Sequence, residues 1–247
     1  MRILAERDLR VRYKQAVLGM AWAVLSPVLL MLIFTLLFSR AIKVATGGAP
    51  YSLFAYLGLL PWTFFSTSVS TGGQSMINNI PLLNKVYCPR EVFPLGAVMV
   101  GAVDMGVASL VLVVLFAVTG YAPRATSYWV PLLLVVQLAF TVGVSLVVSI
   151  VIIYLRDLRH ALPILLQIGL FATPVAYGLQ IVPASMRGLY SALDPLGPVI
   201  DGYRRTVLFG KAPDFPLLGI AAASSLVLLV GGYLLFKKLE TRVADVA

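Results

Sequence analysis

The sequence is poor in charged and redox-active residues. Of its 247 residues 12% are charged and 60% are hydrophobic, and it has one cysteine, Cys88, and one histidine, His160. An average soluble chain carries about 25% charged residues, so this composition excludes an ordinary soluble domain. One cysteine cannot close an internal disulfide, and one histidine with no cysteine or second histidine near it argues against a metal site.

Several short enzyme motifs are also absent. The sequence contains no GxxxxGK[S/T] phosphate loop, no HExxH, no cluster of cysteine and histidine and no GxSxG. We therefore predict that the chain is not an enzyme and binds no cofactor or metal of its own.

What the sequence does have is six long apolar stretches. Each can supply the roughly 20 residues that a helix needs to cross the hydrocarbon layer, and none alternates like the strands of a membrane β-barrel. We predict an all-α integral membrane protein, one domain over residues 1–247 with six transmembrane helices. The predicted spans are Met20–Phe38, Leu53–Thr71, Leu95–Val118, Trp129–Ile153, Leu162–Val182 and Leu217–Phe236.

The basic residues predict how these spans are oriented. If all six cross, twelve of the nineteen lysines and arginines fall on the side that holds both termini. Because basic residues accumulate on the cytoplasmic side, both termini are predicted to be cytoplasmic. The net charge of +9 then reflects topology rather than nucleic-acid binding.

Polar side chains inside two spans are candidates for function. In the second span Thr63, Ser66, Thr67, Ser70 and Gln74 share one helical face, as close helix packing or an uncharged conduit would require. Asp104 is the only acidic residue inside a span, and burying it is costly. Pairing with a neighbouring helix and proton relay both stay open for it.

Three segments outside the spans carry further predictions. Residues 1–18 have a narrow apolar stripe beside basic residues, which suits a helix in the lipid headgroup layer or a simple positive-inside anchor. The loop 78–94 is long and rich in proline, aromatic and charged residues, so it either docks a soluble partner or only caps two helices. Residues 183–211 predict two short helices that meet at DPLGP and enter the membrane without crossing it.

Four stretches together resemble the membrane subunit of type-2 ABC exporters of lipid-linked polysaccharide, the group that serves O-antigen, capsule and teichoic acid. The resemblance covers nearly the whole chain. The stretches are RDLRVRYKQAVLGMAWAVLSPVLLMLIFTLLF at 7–38, LGLLPWTFFSTSVSTGGQSMINNIPLLNKVYCPREVFPL at 57–95, IYLRDLRHALPILLQIGLFATPVAYGLQIVP at 153–183 and LDPLGPVIDGYRR at 193–205.

The resemblance implies a type-2 ABC exporter fold in a bacterial inner membrane. Two copies would form the channel, and each would bind a separate cytoplasmic ATPase that carries the ATP and magnesium. It also implies four groups of site residues. These are a coupling helix with Lys85, Tyr87, Pro89, Arg90 and Glu91; a path lining of Phe34, Phe38, Trp62, Phe65, Ser66 and Ser70; a lipid-headgroup group of Arg7, Arg10, Arg12 and Lys14; and outer gate helices with Asp201, Tyr203, Arg204 and Arg205.

Two other functions remain open at this stage. A type-2 ABC exporter of drugs or lipids would share the architecture, and only its accumulated substrate would distinguish it. An ion-coupled carrier would work without an ATPase and would depend on Asp104. The sequence does not identify the glycan, the lipid carrier, the type of cell envelope, or whether the ATPase has a carbohydrate-binding domain.

Overall fold

A computed structural model describes residues 21–41, 46–79 and 89–240 of the chain, and all its regular elements there are helices. The long helices are α1 (Ala21–Ala41), α2 (Tyr51–Asn78), α3 (Val92–Thr119), α4 (Val130–Tyr154), α5 (Leu158–Ala172) and α8 (Phe215–Glu240). Between α5 and α8 lie two short helices, α6 (Arg187–Leu193) and α7 (Leu196–Val207). Short 3-10 turns precede α4 and α6.

Four helical stretches are long and apolar enough to cross a membrane. They are Tyr51–Asn78, Val92–Thr119, Phe215–Glu240, and Ala125–Tyr154, which joins a 3-10 turn to α4. Apolar stretches of α1 and α5 are shorter, at Ala21–Leu37 and Leu158–Ala172. The prediction of an all-helical membrane protein is confirmed, and the crossing of the first and fifth spans stays a prediction.

The second helix lies at the centre of the bundle. α2 packs against α1, α3, α4, α5 and α7, whereas α8 packs on α4, α6 and α7. Glycines allow the closest of these contacts. A Cβ on Gly101 of α3 would collide with the Ser68 hydroxyl of α2, and one on Gly143 of α4 would lie 2.9 Å from the backbone nitrogen of Leu229 in α8. Small residues at such positions let membrane helices approach backbone to backbone.

The fifth helix ends earlier than the sequence predicts. α5 stops at Ala172, ten residues before the predicted end of its span at Val182. Thr173 has an extended backbone, with φ −74° and ψ 141°, as expected for a residue that precedes a proline. Fifteen helical residues rise only about 22 Å. Residues 173–178, which follow, are not helical and are mostly buried, although their composition stays apolar.

Candidate functional site

The polar face of α2 is the side of this helix that remains open. We call its polar residues, Thr63, Ser66, Thr67, Ser70 and Gln74 with Asn78, the strip. Thr67 and Asn78 are its exposed residues, and Ser66, Ser70 and Gln74 are half-buried. Trp62 lies at one edge of the open side, where α5 packs closely on α2. A Cβ on Gly169 of α5 would lie 2.8 Å from the Trp62 ring. The other edge meets α3 at Ser68 and Gly101. The strip therefore faces outward between α5 and the α3 side of the bundle.

The hydroxyls of this strip are suited to accepting hydrogen bonds. Thr63 donates to the carbonyl of Leu60 at 3.0 Å, and Ser66 donates to that of Thr63 at 3.3 Å. Their protons are thus used inside α2, while the oxygen lone pairs point away from the helix. The strip is uncharged and can accept bonds from a hydroxyl-rich solute.

Three of the four aromatic residues of the predicted lining are packed inside the protomer. Phe34, Trp62 and Phe65 are at most 7% exposed. The ring of Phe65 stacks on Phe140 of α4 at 5.2 Å and lies 5.6 Å from that of Trp62. In this conformation Ser66 and Ser70 are the predicted lining residues that reach the open side. The lining role of the three buried rings stays a prediction.

The non-helical chain after α5 is held by side chains from distant elements. Arg204 of α7, only 1% exposed, donates to the carbonyls of Pro174 and Tyr177 at 2.8 Å each, and also to that of Val175. Tyr51 of α2 donates to the carbonyl of Ala176 at 2.8 Å. Backbone away from water must be satisfied within the protein, and these donors meet that requirement.

Arg204 also reaches the start of α2. It donates to the carbonyl of Phe54 at 3.1 Å, and its guanidinium carbon lies 3.7 Å from the centre of the Phe54 ring. No carboxylate in the described part of the chain forms an ion pair with it. Arg204 was predicted as an outer gate residue. The structure places its side chain inside the protein, where it joins α7, α2 and the chain after α5.

The bend at DPLGP is organised by Asp194. Its carboxylate accepts a hydrogen bond from the Tyr190 hydroxyl at 2.9 Å, and its backbone carbonyl accepts one from the N–H of Gly197 at 3.1 Å. Burial raises the pKa of the Asp194 carboxyl above its ordinary value, and the hydrogen bond from Tyr190 opposes this rise. The two short helices thus meet where the sequence predicts; their entry into the membrane stays a prediction.

A buried amide connects three helices at mid-height. Tyr203 of α7 donates to Oε1 of Gln137 in α4 at 2.9 Å, and Nε2 of Gln137 donates to the carbonyl of Pro61 in α2 at 3.1 Å. Tyr203 was a predicted gate residue, whereas sequence reasoning missed Gln137. The available signal was a lone amide in the apolar run VVQLAF.

Of the remaining gate residues, Arg205 lies 3.9 Å from Asp201 and 3.6 Å from Asp214, near the surface.

At the opposite end of the bundle, the end of the predicted coupling loop contacts the last turn of α8. Arg90 donates to the carbonyl of Glu240, and Lys237 forms ion pairs with Glu91 at 2.9 Å and Glu240 at 3.0 Å. We call these four residues the α8 end cluster. Pro89 is exposed beside it. The other predicted coupling and headgroup residues lie outside the described residues; they are Lys85, Tyr87, Arg7, Arg10, Arg12 and Lys14. The side chain of Phe38 is also outside the described part.

Comparison with known proteins gives consistent matches over most of the chain. Residues 1–208 match the family described as ABC-2 type transporter. The O-antigen export system permease protein RfbA of Myxococcus xanthus is 32% identical over 98% of this chain and 93% of its own length. The protein of the same name from Klebsiella pneumoniae is 29% identical over 99% and 93%. The polysialic acid transport protein KpsM of Escherichia coli is 23% identical over 95% and 91%.

Proposed function

The chain belongs to the ABC-2 type transporter family, and we propose that it is the membrane subunit of an ATP-driven exporter that moves a lipid-linked polysaccharide out of the cytoplasm. The observation that carries the substrate class is the nearly full-length similarity to permeases named for O-antigen export. A relative named for polysialic acid transport supports the same class. These relatives favour a glycan over a drug or a simple lipid.

The open strip of α2 supports this substrate. The sugar units of a glycan carry many hydroxyl donors, which match the acceptor oxygens of residues such as Thr63 and Ser66. A strip without ionised side chains would bind each sugar weakly. Weak and repeated binding lets a long polymer move past the strip rather than stop on it.

We infer that a second copy of the chain closes the path. One protomer presents the strip as an open wall. Beside it α5 has a single buried residue, Leu162, and exposes a row of large apolar side chains: Ile164, Leu165, Ile168 and Phe171. Exposed Gln167 on the same helix would be costly to leave in lipid. A second copy facing α5 and the strip would enclose a polar path and cover these residues.

Energy would come from a separate cytoplasmic ATPase that binds ATP and magnesium. We propose that the loop 78–94 docks this partner and that both chain termini are cytoplasmic. ATP-driven closure of two partners would push the loop in each protomer. The push would reach α3 directly and α8 through the α8 end cluster.

Deletion of the gene followed by complementation tests the substrate class. Without the chain, surface glycan should be lost and lipid-linked glycan should accumulate inside the cell, both measurable by blotting of fractionated cells. Unchanged surface glycan would refute the proposal. Loss of function on replacing Asp104 alone, with no ATPase required, would instead favour an ion-coupled carrier.

Cysteine accessibility tests the path. Single cysteines at Ser66, Thr67 and Ser70, introduced after replacing Cys88 by serine, should react with a small hydrophilic thiol reagent in membranes. Cysteine at Ser225, 1% exposed between α8 and its neighbours, is the matched control and should not react. Protection of all three strip positions, in the presence and absence of ATP, would remove the strip from the path.

A further inference from the structure

An apolar groove runs along the bundle between α3 and α4. It has a volume of about 400 Å³, and its floor is formed by buried side chains of α2 and α7 such as Leu57, Pro61 and Val207. Gly106 of α3 and Leu138 of α4 are exposed at its rims. The groove therefore opens sideways, onto the surface where Val113 and other apolar side chains are exposed.

Small residues of α3 keep this groove open. Three of its five lining residues on α3, Ala102, Gly106 and Ser109, are small, and the other two are Met105 and Leu112. A Cβ on Gly106 would meet no atom within 4 Å. The nearby Gly101 is different, because a Cβ there would collide with Ser68 of α2. The helix thus packs tightly on α2 at 101 and leaves space at 106.

The groove has the length of one lipid leaflet. Its lining extends along α3 from Ala102 to Leu112, and ten helical residues rise about 15 Å. This is half of the ~30 Å hydrocarbon layer. Because α3 ends at Thr119, the groove begins near the middle of this helix and stops short of its end. A single extended acyl chain would lie along it.

A basic residue lies just beyond that end of the groove. The backbone N–H of Arg124 donates to the carbonyl of Val207, a lining residue, at 3.0 Å. The Arg124 side chain is exposed, and no carboxylate in the described ranges forms an ion pair with it. Tyr128 is 68% exposed and is followed by Trp129. These aromatic residues are typical of the headgroup level.

We propose that this groove binds one acyl chain of an anionic phospholipid, with the headgroup phosphate at Arg124. The apolar lining fits the chain, the length fits one leaflet, and the cation fits the headgroup. The proposal requires only that α3 and α4 cross the membrane. It goes beyond export, and its test uses no transport measurement.

Photolabelling of the full-length chain tests this site. The chain is reconstituted in nanodiscs that contain phosphatidylglycerol with a diazirine in the acyl chain, and the labelled peptides are mapped by mass spectrometry. Labelling should concentrate on peptides with Met105, Ser109 and Leu134. Gly106→Phe should fill the groove and reduce this labelling to that of the remaining lipid-facing surface. Gly231→Phe on α8 is the matched control, since Gly231 is also exposed with no atom near a Cβ.

The headgroup contact is tested separately. Arg124→Gln should lower the preference of groove labelling for phosphatidylglycerol over phosphatidylcholine about fivefold. Equal labelling of the groove and the α8 surface, or no response to either Gly106→Phe or Arg124→Gln, would show bulk lipid only. Displacement of the probe by polyprenyl phosphate but not by excess phosphatidylglycerol would assign the groove to a lipid carrier and overturn the proposal. Where Gly106→Phe lowers the yield, Gly106→Leu and Arg124→Gln decide the outcome.

Discussion

Lys237 and Glu91, 146 residues apart in the chain, form an ion pair of 2.9 Å where α8 ends and α3 begins. The same helix end is completed by Arg90, which donates to the carbonyl of Glu240, and by Tyr154, which donates to that of Leu239 at 2.9 Å. Both donors bind carbonyls in the last described turn of α8. The end of the predicted coupling loop is thus joined to α8, and Tyr154 joins the same turn of α8 to α4.

The first prediction concerns this ion pair. Glu91→Lys should reduce export, because repulsion from Lys237 would separate the loop from α8. Both groups are partly exposed, so the loss of stability should stay below about 1 kcal/mol. Surface glycan and thermal unfolding measured on the same variant separate the two effects.

A charge swap shows whether Glu91 acts through Lys237. The double variant Glu91→Lys with Lys237→Glu should recover export, tested in a Glu240→Gln background because Glu240 would otherwise repel the new glutamate. Recovery would mean that α8 is the partner of Glu91. If Glu91 instead contacts the ATPase directly, the swap will leave export as low as in the single variant.

The second prediction concerns Arg204. Arg204→Lys should lower the free energy of unfolding by more than about 3 kcal/mol, because one ammonium cannot replace a guanidinium that serves four carbonyls in a buried place. The measurement is thermal unfolding in detergent, with membrane yield as a second readout.

The neighbouring arginine supplies a matched control. Arg205→Lys changes a surface residue whose ion-pair partners lie at 3.6 and 3.9 Å, and it should cost less than about 1 kcal/mol. Gly58→Ala should resemble the Arg204 variant, since a Cβ there would collide with both the guanidinium and the carbonyl of Val175. Similar stability for the two arginine variants would contradict the role assigned to Arg204.

The contrast between Arg204 and Arg205 shows how far the sequence could predict this site. Apolar length predicts the helices, and DPLGP predicts the bend before α7, because both are local properties. The partners of Arg204 are not local. They lie 27 to 30 residues away after α5, and 150 residues away in α2. The sequence therefore predicts Arg204 only as an outer gate residue and does not predict its burial.

The early end of α5 is missed for a related reason. Hydropathy continues through Val175, Ala176 and the residues up to Val182, so composition alone extends the span. Pro174 is a local warning, but prolines also occur inside α1, α2 and α5. Whether a proline ends a membrane helix depends on donors that satisfy the freed backbone. Here these are Arg204 and Tyr51, from other elements.

The third prediction is a double-mutant cycle on Tyr203 and Gln137. Tyr203→Phe removes the hydroxyl that donates to Gln137 Oε1, leaving a buried acceptor unsatisfied at a cost of about 1–3 kcal/mol. Gln137→Leu should cost less when Tyr203 is already phenylalanine, because no tyrosine hydroxyl then loses its acceptor, whereas the carbonyl of Pro61 loses its donor in both backgrounds. The cycle is measured by thermal unfolding. Strictly additive losses would show that the two side chains do not interact.

The last prediction concerns the contact of α4 with α8. Gly143→Ala should lower the free energy of unfolding by about 1–3 kcal/mol, because the new methyl group would lie within 3.0 Å of backbone atoms of Leu228 and Leu229, which cannot rotate away. Gly231→Ala on α8 has open space around it and should change stability little. Both replacements change a glycine to alanine within a membrane helix, so the gain in helix propensity is the same in both and cancels in the comparison. Equal unfolding temperatures would mean that the two helices do not pack this closely in the membrane.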